Sequence, residues 1–225
     1  MWCVAKLDQE YIERMEDVLD TLAAPAKPQE PVLALDERPV QLHGSARPGR
    51  PMRPGKPARE DYEYVRRGTA NVFCIVDPKR GRHLTHATPN RTAMYFARAM
   101  RQIARSYPKT KKIHLIMDNL STHSERSLIT AFGPKQGRKL WRRFKVHYTP
   151  KHGSWLNPAE IEASLWSREC LGKDRVGTLP VLAARTSAWN TQATHLRRPI
   201  RWTFTSAKAR EVFRYERSTT SGAQH

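Results

Sequence analysis

Cysteine is scarce in this 225-residue chain, and the three present, Cys3, Cys74 and Cys170, are far apart and odd in number. No CxxC pair occurs, which argues against a zinc knuckle or a disulfide framework and fits a reducing, cytoplasmic setting. Long apolar runs are lacking as well. Nothing approaches the roughly 20 residues of a membrane span, and the opening Met1-Trp2-Cys3-Val4-Ala5-Lys6 is too short and too polar for a secretory signal. No internal repeat is present. Acids are the most conspicuous shortage: 21 Asp+Glu face 40 Lys+Arg, a formal net charge of +19. A charge of that size repels itself in a compact fold and calls for a polyanionic partner. Nucleic acid is the first candidate, because a basic chain gains affinity by releasing counterions from phosphates. An arginine-rich composition of codon origin is the alternative, and attraction to a membrane surface is the weaker account. The hydrophobic share of 39% is enough for one domain with a real core.

The pattern along the chain alternates strands and helices. Residues 8–22 read as an amphipathic helix, with Asp8 as N-cap and Tyr11, Ile12, Met15, Val18, Leu19 and Leu22 at helical spacing. A short apolar run from Pro31 reads as a buried strand that stops at Asp36. Strands follow at 69–76, 82–87, 113–117 and 144–148, and helices at 92–107, 124–132, 135–143, 157–170 and 178–193. The tail from Ser221 reads as frayed. Strand, strand pair, helix, strand, helix, strand, helix is the order of an α/β protein with a mixed five-stranded sheet flanked by helices. Between 44 and 59 the pattern changes: prolines at 48, 51, 54 and 57 interleave with Arg47, Arg50, Arg53, Lys56 and Arg59 at a period of three. In polyproline II these five cations would share one edge, roughly 9 Å apart. They could then follow a phosphate backbone; a solvated basic loop is the alternative.

Three acids stand out by position. Asp36 and Asp118 each end an apolar strand, and Glu160 lies in the first turn of the helix that follows Asn157-Pro158. Strand ends and helix starts of open α/β sheets gather at one edge. Three carboxylates brought together repel one another unless a cation neutralises them, and carboxylate oxygens suit a hard ion such as Mg²⁺ or Mn²⁺. An acid at a strand end also serves simply as a cap of the next turn. Glu162 competes for the third place, but two residues on it points away from Glu160 on a helix. His83-x-x-His86 has no cysteine partners and reads as non-ligating.

The blocks around these acids narrow the choice. Leu-Asp36-Glu37, Ile-Met-Asp118-Asn119-Leu-Ser-Thr-His123 and Tyr148-Thr-Pro-Lys-His152-Gly-Ser-Trp-Leu-Asn157-Pro-Ala-Glu160 resemble the three signature blocks of DDE transposases of bacterial insertion sequences, in the mariner-like superfamily. Asp61-Tyr-Glu-Tyr-Val65, Gly68-Thr-Ala-Asn71 and Ser167-Arg-Glu-Cys-Leu171 extend the resemblance, which runs in order from about residue 1 to about residue 205. The spacing between Asp118 and Glu160 is longer than in many mariner relatives, and a basic insert around Gly133–Arg143 accounts for it.

The resemblance implies an RNase H-like fold, with Asp36, Asp118 and Glu160 as catalytic ligands of two Mg²⁺ (or Mn²⁺) ions. It implies DNA as partner, strand cleavage at transposon ends, transfer of the freed 3′-hydroxyl into target DNA at a TA dinucleotide, and a homodimer on DNA. On it the chain divides into a linker helix at 1–30, a catalytic domain at 31–205 with the basic arm at 44–59, and a tail at 206–225. Relatives carry N-terminal helix-turn-helix modules for which there is no room before Asp36. The chain is therefore expected to be a truncated or separately started product, working beside a separate helix-turn-helix-containing product and binding DNA mainly through charge. Its place would be the bacterial cytoplasm, on the nucleoid when bound. Further DNA contacts are expected from Asn119, His123, Lys151, His152 and Trp155; for Trp155 a core aromatic is the competing role. A nuclease that cuts without joining, or an inactive DNA-binding fragment, are the alternative functions.

Overall fold

The amphipathic stretch near the start forms α1 (Gln9–Ala23), as its spacing requires. Asp8 caps it by accepting a hydrogen bond from the Tyr11 backbone N–H at 2.9 Å. Met15, Val18 and Leu19 are fully buried, so the expected linker helix is packed into the body of the protein. The computed structural model describes residues 7–59 and 61–216, and the stretch expected to fray from Ser221 lies outside them.

The sheet has six strands rather than five. They are β1 (Val32–Ser45), β2 (Tyr64–Asp77), β3 (Arg82–His83), β4 (His86–Thr88), β5 (Ile113–Met117) and β6 (Phe144–Tyr148). The order is β3-β2-β1-β5-β6, with β4 also on β2. β1 and β2 are antiparallel, whereas β1, β5 and β6 are parallel. The expected strand at 82–87 is split because Thr85 turns inward, where its hydroxyl accepts from the Ile75 N–H at 3.1 Å. Asp36 does not end its strand, as the apolar run implied. β1 continues nine residues past it, paired only with β2, because its pairing with β5 stops at Ala34. The apolar run ends where the strand leaves the doubly covered part of the sheet.

Alternation along the strands sorts side chains to two faces. Leu33, Leu35, Phe73, Ile75, Leu115 and Met117 face α2 (Ala93–Ser106) and α3 (Glu125–Phe132). Ala34, Val76 and Ile116 face α1, and Val40, Val72 and Cys74 face α5 (Ala159–Trp166) and α6 (Leu179–Leu196). The basic insert forms α4 (Pro134–Trp141). After α5 the chain makes a π-helical turn over Ser167–Leu171. The stretch 206–225, expected as a tail, carries α7 (Ser206–Phe213), which packs on α1: Arg210 Nε donates to Glu16 at 2.7 Å, and Ser206 Oγ to Asp20 at 2.6 Å. Among the described residues no helix is long and apolar enough to cross a membrane.

The arm is not a polyproline II rod. It folds back as a narrow hairpin, with Arg50 bridged to Arg59 and Arg53 to Lys56 around Pro54-Gly55. Gly55 takes a positive φ of 73° there. The proline period of three is broken by this reversal, which only a glycine makes without strain. The five cations therefore do not share one edge.

Gly137 sits where α4 meets α3. A Cβ there would lie 2.6 Å from the Cα and N of Ile129. Helix propensity alone would favour alanine by about 1 kcal/mol. The backbone collision reverses the sign, so Gly137→Ala is expected to destabilise by about 1–3 kcal/mol. A urea unfolding curve checks this: the midpoint falls with an unchanged slope. A midpoint that rose would mean the two helices part freely.

Candidate active site

Parallel pairing matches Ala34 to Ile116. Carried on by two residues, the register sets Asp118, just beyond β5, level with Asp36 and on the same face. Asn157 brings in the third acid. Its Nδ2 donates to the Leu35 carbonyl at 2.9 Å, and its Oδ1 accepts from the Ala159 N–H at 3.1 Å. One buried amide thus caps α5 and fastens it to β1 beside Asp36, and Glu160 follows in the first turn. The helix proper starts at Ala159.

The gathering of charge is visible at Asp36. Burial raises its carboxyl pKa. A 2.7 Å hydrogen bond from the Glu37 N–H opposes the rise, and the negative fields of Glu160, Asp118 and Glu37 add to it, leaving the group at about 7. Asp118 Oδ1 is buried and lies 2.6 Å from His123 Nδ1. Three facing carboxylates, one of them forced toward the neutral form, fit a hard divalent cation.

Glu162 turns the other way, as the helical period requires. It is buried, accepts from the Thr85 hydroxyl at 2.7 Å and lies 2.8 Å from His83 Nδ1. Asn190 of α6 brackets the backbone of Thr85, accepting from its N–H and donating to its carbonyl. This network holds the outer side of α5 and engages His83 through its Nδ1.

His123 is buried rather than a surface residue. Its Nε2 is 2.7 Å from Glu37 Oε1, and its Nδ1 donates to the Asp118 carbonyl at 3.1 Å, with Asp118 Oδ1 2.6 Å away. Burial disfavours the charged ring, but the hydrogen bonds and negative charges of Asp118 and Glu37 outweigh it and raise the pKa to about 10. The ring is an imidazolium at neutral pH. Glu37, Asp118 and His123 bring ligand atoms within 4.8 Å of one another. The ring bridges Asp118 and Glu37 and so orients Asp118. Strand alternation sends Glu37 to the face opposite Asp36, and its position next to that residue in the sequence was the only signal of its role.

Asn119, Lys151 and His152 are exposed along a groove of about 790 Å³ that also holds Asp118 and, from α1, Arg14. Trp155 packs edge-on against Phe204 at 5.5 Å and near Phe213 at 6.2 Å. That is the core role, and base stacking is not supported. The arm residues Arg47, Arg50, Arg53, Lys56 and Arg59 are exposed and are not brought to the acids. Nine residues of β1 set the start of the arm about 30 Å from Asp36. Arg47 is instead paired with Glu63 at 3.1 Å.

The Asp36 shift predicts a pH-dependent penalty. A carboxyl whose folded pKa lies above its unfolded value costs stability once ionised: nothing below about 4, the full amount above about 7. In EDTA at pH 8, Asp36→Asn is expected to melt about 5 °C above wild type. The gap should close as the pH falls toward 4, and Mg²⁺ at pH 8 should raise the wild-type melting temperature but not the variant's. A thermal scan showing equal melting at pH 8 would mean the carboxylates do not repel as described.

A family model described as DDE superfamily endonuclease matches residues 31–182. No curated protein matches the chain in sequence. Among solved structures, a Mos1 transposase paired-end complex with the left transposon end superposes with a TM-score of 0.53 at 14% identity, over 88% of this chain and 62% of that one. A Mos1 strand transfer complex gives 0.53 at 13%, over 87% and 60%. A mariner Mos1 paired-end complex with Mg gives 0.51 at 14%, over 88% and 62%. This chain thus spans about three fifths of the length of the Mos1 chains. The likeness establishes the RNase H-like fold: a mixed sheet flanked by helices. With the family model covering more than half of its residues, this chain belongs to the DDE superfamily endonucleases.

Proposed function

We propose that this chain is the catalytic domain of a DNA transposase of the mariner-like kind found in bacterial insertion sequences. The observation that carries the reading is the β1–β5 register, which sets Asp118 level with Asp36 while Asn157 hooks the helix of Glu160 to the adjoining carbonyl. Asp36, Asp118 and Glu160 hold two Mg²⁺ or Mn²⁺ ions. When bound, such ions lower the pKa of water and stabilise the leaving oxygen of a phosphodiester. The protein's own part is placement. The His123 ring, anchored on Glu37, keeps Asp118 in place. Lys151 and His152, exposed in the groove beside Asp118, position the scissile phosphate, with Asn119 next to them. The strand is hydrolysed at a transposon end, and the freed 3′-hydroxyl attacks target DNA at a TA step, where pyrimidine–purine stacking deforms easily.

The domain proper spans 31–205, with α1 and α7 packed against it. It acts as a homodimer on DNA in the bacterial cytoplasm, and recognition of the transposon ends comes from helix-turn-helix modules outside this chain.

The first test is nicking of supercoiled plasmid in Mg²⁺, Mn²⁺ or EDTA. Wild type is expected to nick only with metal, and Asp118→Ala not at all. His123→Ala should lose about 10–100-fold in rate or in metal affinity, the usual effect of removing a residue that orients a metal ligand. Pre-cut oligonucleotides then report joining. Joined products support the transposase reading; cutting without joining makes the protein an RNase H-like nuclease; binding without cutting makes it an inactive DNA-binding fragment.

A further inference from the structure

Between Asp77 and Glu160 the only acids are Asp118 and Glu125. This stretch includes the whole α2–α3–α4 layer, which covers one face of the sheet. Cations collect on its outside. A groove of about 750 Å³ between α2 and α4 is bordered by Arg101, Arg105 and Lys139. An adjoining hollow of about 530 Å³ is bordered by Lys135, Arg138, Lys139 and Arg142. Lys139 is common to both, so the two form one surface. All six side chains are exposed, and none has a carboxylate within 4.0 Å among the described residues.

The ground beneath them is rigid. The Arg143 guanidinium donates to the Ala104 carbonyl at 2.9 Å, to the Tyr107 carbonyl at 2.5 Å and to Thr110 Oγ1 at 3.1 Å, binding the end of α2 to the start of β6. Arg101 lies over the Phe132 ring, 4.4 Å from its centre. Gly137 lets α4 sit directly on α3. Cations carried on packed helices lose less freedom when they meet phosphates than cations on a mobile tail.

The surface also lies away from the acids. Lys112 Nζ donates to the Arg142 carbonyl at 2.6 Å, and Ile113 N to the Arg143 carbonyl at 2.8 Å, so Arg142 stands at the starting ends of β5 and β6. Asp118 follows the finishing end of β5, about 17 Å along the strand. A duplex whose phosphate sits at the acids leaves this face open.

We propose that the outer face of α2 and α4 is a second DNA-binding surface, which grips the phosphate backbone of a duplex segment other than the one whose strand lies at Asp36, Asp118 and Glu160. It rests on the transposase reading only for what occupies the first groove. Arg101 covers the Phe132 ring and Gln136 is the one amide bordering the groove, so a surface made mainly of unpaired cations reads charge rather than sequence.

The test is binding, not cleavage, so it stands apart from the proposed chemistry. The full chain is titrated in EDTA with a fluorescent 40-base-pair duplex across a salt series. Lys135→Gln, Arg138→Gln, Lys139→Gln and Arg142→Gln are combined in one variant. Its slope of log affinity against log salt is expected to be shallower by about 3–4, since each phosphate contact contributes about 0.9. Its melting temperature should not fall, because all four side chains are exposed. In a second assay, protein held on a bead-bound duplex captures a labelled second duplex. Wild type and Asp118→Ala are expected to capture it, and the quadruple variant is not. An arm variant with Arg47, Arg50, Arg53 and Lys56 changed to Gln removes equal charge and should retain the capture. An unchanged salt slope in the α4 variant, or capture lost only from the arm variant, would overturn the proposal.

Discussion

Carboxylates repel one another, and the centre of this structure depends on holding three of them at one edge of a sheet. β1 provides the floor, with Asp36 half-buried at the point where the strand leaves its parallel neighbour. The repulsion appears as a carboxyl driven to about 7. What resists it is neutral on one side and charged on the other. Asn157 fixes α5 to the Leu35 carbonyl without adding charge, while His123 supplies a buried cation shared between Asp118 and Glu37. A buried amide with its partners satisfied and a buried imidazolium with two acceptors each cost little, and both become expensive if a partner is lost. The site is therefore locked from behind while its front stays open to the groove.

Charge is divided between the two faces of the sheet. On one, α1 displays Glu10, Glu13, Asp17 and Asp20 to solvent. On the other, the α2–α4 layer is nearly free of acid. A protein with a net charge of +19 that keeps its exposed helical acids largely on one side is electrostatically polar. A polyanion meets attraction along α2 and α4 and repulsion across α1, whose Glu10, with Asp8, also borders the groove beside Asp118.

Much of this was legible in advance. α1, α2, β5 and β6 lie where apolar periodicity puts them, and α3 and α4 fall close to the weaker helical stretches read at 124–132 and 135–143. Asp118 does end its strand, and Glu162 does face away from Glu160. Other features escaped for identifiable reasons. Asp36 sits mid-strand, because an apolar run reports double coverage rather than strand length. Thr85 splits a strand through a hydrogen-bond network whose other members lie on α5 and α6. The arm's period of three reads as a rod until Gly55 reverses it. α7 is short, and only its seating on Glu16 and Asp20 of α1 gives its weak pattern a partner.

The sequence by itself determined the kinds of element, their order, the excess of positive charge and the three blocks that carry the acids, since these depend on local spacing and composition. Only the tertiary structure decided which atoms meet. Pairing of β1 with β5 sets Asp36 level with Asp118, Asn157 reaches back across the chain to Leu35, and His123 meets Glu37 under α2. Those contacts join residues many tens of positions apart, and no local pattern encodes such a meeting; it exists only once the two faces of the sheet have been packed.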